Sequence, residues 1–198
     1  MALPYRFVEA CALLPMLHVE RAPPNTIYCV GPQAETLAKD VFRWRDVARV
    51  YLNDPPLALR DPRLVIGPPP VGSCSAVLLS PEVQPDPFIY ALSPKGVISV
   101  STMELNKVGP LMRHMRQLFP RSVVPWREYL LPEVLFGVLA SPSGAPKRIR
   151  QPPGGAIRLS EKYIPCLFTF GADEARLVFG EQPAKKEPVS TQGTPPHG

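Results

Sequence analysis

The chain has 198 residues, 45% of them apolar and 20% charged, with a formal net charge of +5. Such a composition excludes wholesale disorder, and so mild a basicity gives only weak attraction to acidic partners or nucleic acid. The 28 prolines are spread through the sequence rather than gathered in one tail. Each fixes its own φ and removes a backbone donor, so short elements separated by rigid turns are expected.

Residues 1–20 form an apolar stretch that Glu9 interrupts and Pro15 breaks. It leads to no small-residue cleavage site, so it reads as mature protein. No apolar run reaches the 18 or so residues that cross a bilayer. No membrane span is expected, and the location is read as cytoplasmic or nuclear. Cys11, Cys29, Cys74 and Cys166 are scattered and form no CxxC pair, which suits buried free thiols in a reducing compartment.

The periodicity predicts a helix from about Pro32 to Leu52. Leu37, Val41, Trp44, Ala48 and Tyr51 recur along one face, and Asn53-Asp54-Pro55-Pro56 stops it. Short strands follow at Leu64–Ile66 and Ser75–Leu79. Phe88–Leu92 and Val97–Ser101 flank Ser93-Pro94-Lys95-Gly96, which reads as the turn of a β-hairpin. A capping box, Ser101-Thr102-Met103-Glu104, opens a second helix. Leu105, Val108, Met112, Met115 and Phe119 form its apolar face, and Pro110 either kinks that helix or starts a new one. Residues 125–140 are expected to hold two short helices opened by Pro125 and Pro132.

The domain reading is a core of residues 1–140, a basic Pro/Gly-rich linker at 141–155, short strands at 156–179 packing on the core, and a disordered tail at 180–198. This order of elements predicts an α+β fold: a small antiparallel sheet with helices packed on one face.

Catalytic and metal signatures are not found. Gly67 to Cys74 has the spacing of a phosphate loop but no lysine, and its prolines remove the N–H donors such a loop uses. No Cys/His pair has zinc-ligand spacing, and a long-range set of Cys11, His18 and Cys29 is the only metal alternative. An enzyme reading would rest on Cys74 or His114 as nucleophile and base. No catalytic residue, cofactor or metal is therefore expected.

Basic clusters remain. Lys147, Arg148 and Arg150 form an exposed patch suited to nucleic acid or nuclear targeting. Arg113, Arg116 and Arg121, on or beside the second helix, form a second patch that the solvated face of a helix also explains. Ser141 and Thr194 precede prolines and are candidate phosphorylation sites. Gly67–Pro70, Pro146–Pro153 and the tail could present extended proline ligands to a partner.

The expected function is a non-enzymatic protein–protein interaction protein: an adaptor, an assembly subunit or a small regulatory or accessory factor, of a kind a compact viral genome encodes. The alternative is a nucleic-acid-associated protein using its basic linker and second helix. A protein partner is expected, with nucleic acid as the second candidate.

Overall fold

The structure is a computed structural model that describes residues 5–19, 25–120, 123–130 and 133–143. Its elements in chain order are α1 (Tyr5–His18), β1 (Asn25–Val30), α2 (Ala34–Val41), β2 (Val47–Leu52), β3 (Leu64–Ile66), β4 (Cys74–Leu79), a 3₁₀ turn (Asp86–Ala91), β5 (Leu92–Thr102), α3 (Leu105–Leu118), β6 (Val123–Leu130) and β7 (Glu133–Ala140). The strands form one seven-stranded sheet in the order β3-β2-β1-β4-β5-β7-β6. The first five run parallel, and β7 pairs antiparallel with both β5 and β6. The expected small antiparallel sheet with helices on one face is thus replaced by a large, mostly parallel sheet covered on both faces.

Burial alternates along each strand to opposite faces. Ile27, Cys29, Val50, Leu52, Ala76 and Leu78 join one core with α1 and α2, whereas Tyr28, Tyr51, Val77, Leu79, Ile98 and Val100 join a second core with α3. A strand buried on both faces reads as an apolar run without polar alternation. This explains why the strand content was underestimated.

The helix expected over residues 32–52 ends at Val41. Leu37, Val41 and Trp44 are buried as its stripe required, but β-branched Val47 and Val50 continue the chain as β2, parallel to β1. The expected hairpin is also corrected. Residues 86–91 form the 3₁₀ turn, and Leu92–Thr102 is one strand carrying a bulge: Leu92 pairs with Cys74 and Val97 with Ala76. Gly96 sits in that bulge, where a Cβ would lie 2.6 Å from the Cys74 carbonyl oxygen.

The second helix is present and passes through Pro110 without ending. Its start differs from the expected capping box: Glu104 is the N-cap with no side-chain cap, and Ser101 lies in β5, 3.4 Å from Cys11 Sγ. Val123–Leu130 and Glu133–Ala140 form the antiparallel pair β6–β7 rather than two helices. Pro125 is tolerated because β6 is an edge strand. α1 is apolar nearly all round and buried accordingly, from Phe7 to Leu17.

Trp126 on β6 is the largest fully buried side chain; its Nε1 donates to Ser99 Oγ at 3.0 Å. Gly137 on β7 makes room for it, since a Cβ there would fall 2.3 Å from the indole ring. Gly137→Ala is expected to destabilise by about 3 kcal/mol, the upper end of overpacking costs. Thermal unfolding should show the midpoint falling by roughly 6–12 °C.

His18 ends α1, and neither ring nitrogen has a hydrogen-bond partner among the described residues. Burial pushes its pKa down to about 4. The folded state therefore holds His18 neutral while the unfolded chain protonates it near pH 6.5, so stability is lost as pH falls from about 6.5 towards 4. The loss attributable to this group is up to about 3 kcal/mol. Urea unfolding across that range should show a shallower acid limb in His18→Leu.

Candidate active site at the carboxyl ends of the parallel strands

In an open parallel sheet the strand order reverses at one point, and ligands bind beyond the carboxyl ends of the strands there. Here the reversal lies between β1 and β4. The chain segments gathered at that edge are Gly31–Gln33 after β1, Asn53–Asp54 after β2, Ser80–Gln84 after β4 and Thr102–Glu104 after β5.

A pocket of about 240 Å³ opens at this edge between the β4 loop, the end of β5 and α3. Glu82, Thr102, Lys107, Leu111 and His114 line it. Lys107, Pro110 or Leu111, and His114 recur at helical spacing, so one face of α3 forms a wall.

Glu82 has φ of +66°, the only non-glycine positive φ among the described residues. A non-glycine residue in this region costs roughly 1–2 kcal/mol, and such strain gathers at functional sites. The surroundings hold it firmly. Its N–H donates to the Ser101 carbonyl at 2.9 Å, and its Oε1 accepts from Met103 N–H at 2.7 Å. Lys107 Nζ reaches Glu82 Oε2 at 3.7 Å and pairs closely with Glu104. Glu104, and then Glu82, hold the Lys107 ammonium above its ordinary pKa.

His114 Nε2 lies 2.8 Å from Asp86 Oδ2. An ionised carboxylate only accepts, so Nε2 donates to it and Nδ1 is the ring nitrogen left for another partner. An oriented imidazole of this kind is a general base held by a carboxylate. Glu82, Lys107 and His114 line the pocket itself, and Glu104 and Asp86 reach them from its rim, Glu104 through Lys107 and Asp86 through His114.

The seam between β1 and β4 is arranged differently. Ser80 is fully buried; its hydroxyl accepts from Gln33 N–H at 3.0 Å and donates to the Val30 carbonyl at 2.9 Å. Gly31 has φ of +99°, and a Cβ there would lie 2.7 Å from Val83 Cγ2 and 2.8 Å from Ser80. At the end of β2, Tyr28 donates to Asn53 Oδ1. Beyond it, Glu35 in the first turn of α2 accepts the N–H groups of Leu57, Ala58 and Leu59 at 2.9–3.1 Å. Those bonds, Leu57 first, hold the Glu35 carboxyl below its usual pKa.

The residues singled out in the sequence are placed as follows. His114 is in the pocket, whereas Arg113 and Arg116 are exposed on α3. Ser141 is buried and 3.3 Å from Ser143 Oγ. Arg121, Lys147, Arg148, Arg150, Cys166 and Thr194 lie outside the described residues. Cys74 is buried, and desolvation pushes its thiol up to about 11, away from the nucleophilic thiolate. Cys11 is raised to about 12 by the same cause, and burial also raises Cys29. Among the described residues no cluster of His, Cys, Asp or Glu could hold a metal ion, and no helix is long and apolar enough to cross a membrane. No short motif joins Glu82, Asp86 and Lys107, and Glu104 reads from the sequence only as part of a capping box. The one available signal was Pro85-Asp86-Pro87, two prolines fixing an acidic residue after a strand.

No family model and no curated protein matches this sequence. Solved structures do match its fold. The spermidine synthase of Thermotoga maritima superposes with a TM-score of 0.69 at 14% identity, over 88% of this chain and 74% of that one. A spermidine synthase in complex with the transition state analogue AdoDATO superposes with a TM-score of 0.66 at 12% identity, over 88% and 75%. Together with the sheet order, these likenesses define a Rossmann-like fold of the methyltransferase type. This overturns the expected non-enzymatic adaptor or regulatory accessory factor: the chain has the architecture of a fold that enzymes use.

Glu82→Gly removes the strain together with the carboxylate. Relief of the positive φ and loss of one hydrogen bond, each worth about 1 kcal/mol, should nearly cancel. Urea unfolding should place E82G within about 1 kcal/mol of the parent; a larger loss would mark the turn as purely structural.

Proposed function

We propose that this chain is an enzyme that takes a small linear amine into the pocket beside α3 and activates its nitrogen. The observation that carries this reading is a lysine ammonium held between the Glu82 and Glu104 carboxylates, in one pocket with a histidine that Asp86 orients. Glu82 and Glu104 already hold an ammonium, that of Lys107, and a ligand ammonium would meet the same oxygens. His114 Nδ1 then takes one proton from R–NH₃⁺, leaving R–NH₂ with a free lone pair and an imidazolium that Asp86 stabilises. A free amine lone pair is the nucleophile of an alkyl-transfer reaction.

The structural neighbours support the substrate class. Both are named for spermidine, a linear polyamine. The pocket volume also agrees. At about 240 Å³ it falls below the ~300–1,000 Å³ of sites for drug-sized ligands, which suits an unbranched chain of few atoms.

Titration calorimetry with spermidine is the test. Saturable binding is expected for the parent, weakened about tenfold or more in the double variant Glu82→Gln, Glu104→Gln, since two charge-assisted contacts are lost. Binding that the double variant leaves unchanged, or no binding at millimolar amine, would sink the reading.

A further inference from the structure

A fold of this type places a nucleotide or nucleoside at the switch point, on the loop after the first strand. The approach depends on glycines there and on a carboxylate about 20 residues on, which takes the ribose hydroxyls. This chain has one glycine after β1, and the space beside it is taken by its own atoms. A single methyl group at Gly31 would already be 2.7 Å from Val83 and 2.8 Å from Ser80.

The donors are also committed. Gln33 N–H, which would face a ligand at the start of α2, goes to Ser80 Oγ. Ser80 itself is bonded twice to the Val30 carbonyl, through its N–H and its hydroxyl, each at 2.9 Å. β2 ends at Leu52 and is followed by Asn53, whose Oδ1 is occupied by Tyr28; the carboxylate nearest this position, Asp54, lies one residue further on and is exposed. Burial raises the Tyr28 hydroxyl to about 12, so it stays protonated and remains a donor. The β2–β3 loop is drawn onto α2 through the three N–H groups that Glu35 accepts. One polar atom of this region, Gln33 Oε1, has no partner, but it is sealed from solvent.

We infer that the β1–β4 crevice of this chain is a closed structural seam, so that no nucleoside is held there.

The full chain is titrated with S-adenosylmethionine, 5′-methylthioadenosine and NAD⁺, each alone and with saturating spermidine. No saturable binding up to about 1 mM is expected in any arm. Saturation of any of the three below that concentration would overturn the inference, whatever spermidine does; spermidine binding by itself tests only the amine pocket. A second measurement addresses the seam directly. Ser80→Ala removes the bond to Gln33 and one of the two to Val30, and its thermal midpoint should fall by roughly 3–6 °C. An unchanged midpoint would show that the crevice is not held shut by Ser80, and the inference would fail.

Discussion

The buried Ser80 hydroxyl, accepting from Gln33 N–H and donating to the Val30 carbonyl, joins the ends of the two strands where the sheet changes direction. A buried hydroxyl left unpaired costs about 1–3 kcal/mol, so the chain around it is held to one arrangement. Gly31 must take φ of +99° and remain without a side chain. α2 must begin two residues after Pro32. β4 must stop at Leu79, and the loop that leaves it turns sharply enough to put Glu82 in the left-handed region. The strain at Glu82 thus descends from the same seam, and the bonds to Ser101 and Met103 hold it in place. What the seam closes on one side, the strained turn opens on the other, between β5 and α3.

The pocket gathers charge in a way the whole chain does not. Net basicity would repel a cationic ligand at long range, but the Debye length at physiological salt is only about 8 Å. Within that distance Glu82 and Glu104 face Lys107, and Asp86 faces His114. The Lys107–Glu104 contact is between half-exposed groups, where ion pairs are worth little. On the proposed reading a ligand ammonium replaces Lys107 at small cost. The His114–Asp86 pair is likewise open to solvent and so reachable by substrate without any movement of the fold.

Much of the local pattern was legible in the sequence while the architecture was not. The apolar face of α3, with Val108, Met112 and Met115 buried, follows from spacing alone. β3 and β4 were found as short apolar runs. The misreadings share one physical cause. In a sheet buried on both faces the strands lose the alternation that marks them, so Val47–Leu52 extended a helix stripe and Glu133–Ala140 passed for a buried helix. Parallel pairing is also invisible locally, because β1 meets β4 across 49 residues, at Val30 and Leu79 among other pairs; in place of that long-range contact the prolines and Gly96 suggested a hairpin. The site was illegible for the same reason. Glu82 and Asp86 come from one loop, Lys107 and His114 from a helix, and only the sheet brings them together.

The prolines acquire their meaning from the topology. β1 ends at Val30 and is followed by Pro32, β2 at Leu52 by Pro55, β3 at Ile66 by Pro68, and β4 at Leu79 by Pro81. Every parallel strand before β5 thus meets a proline within three residues of its carboxyl end, the edge where such sheets carry their chemistry. No helix follows β2 or β3: residues 53–63 and 67–73 form loops instead. Loops in that role are ordinarily the mobile part of a binding site. Fixing φ in each of them lowers the entropy of the unfolded chain and leaves less to be ordered when a ligand arrives. The composition that first suggested a surface for docking partners is, in this fold, the means by which a sheet with few helices holds its ligand-binding edge rigid.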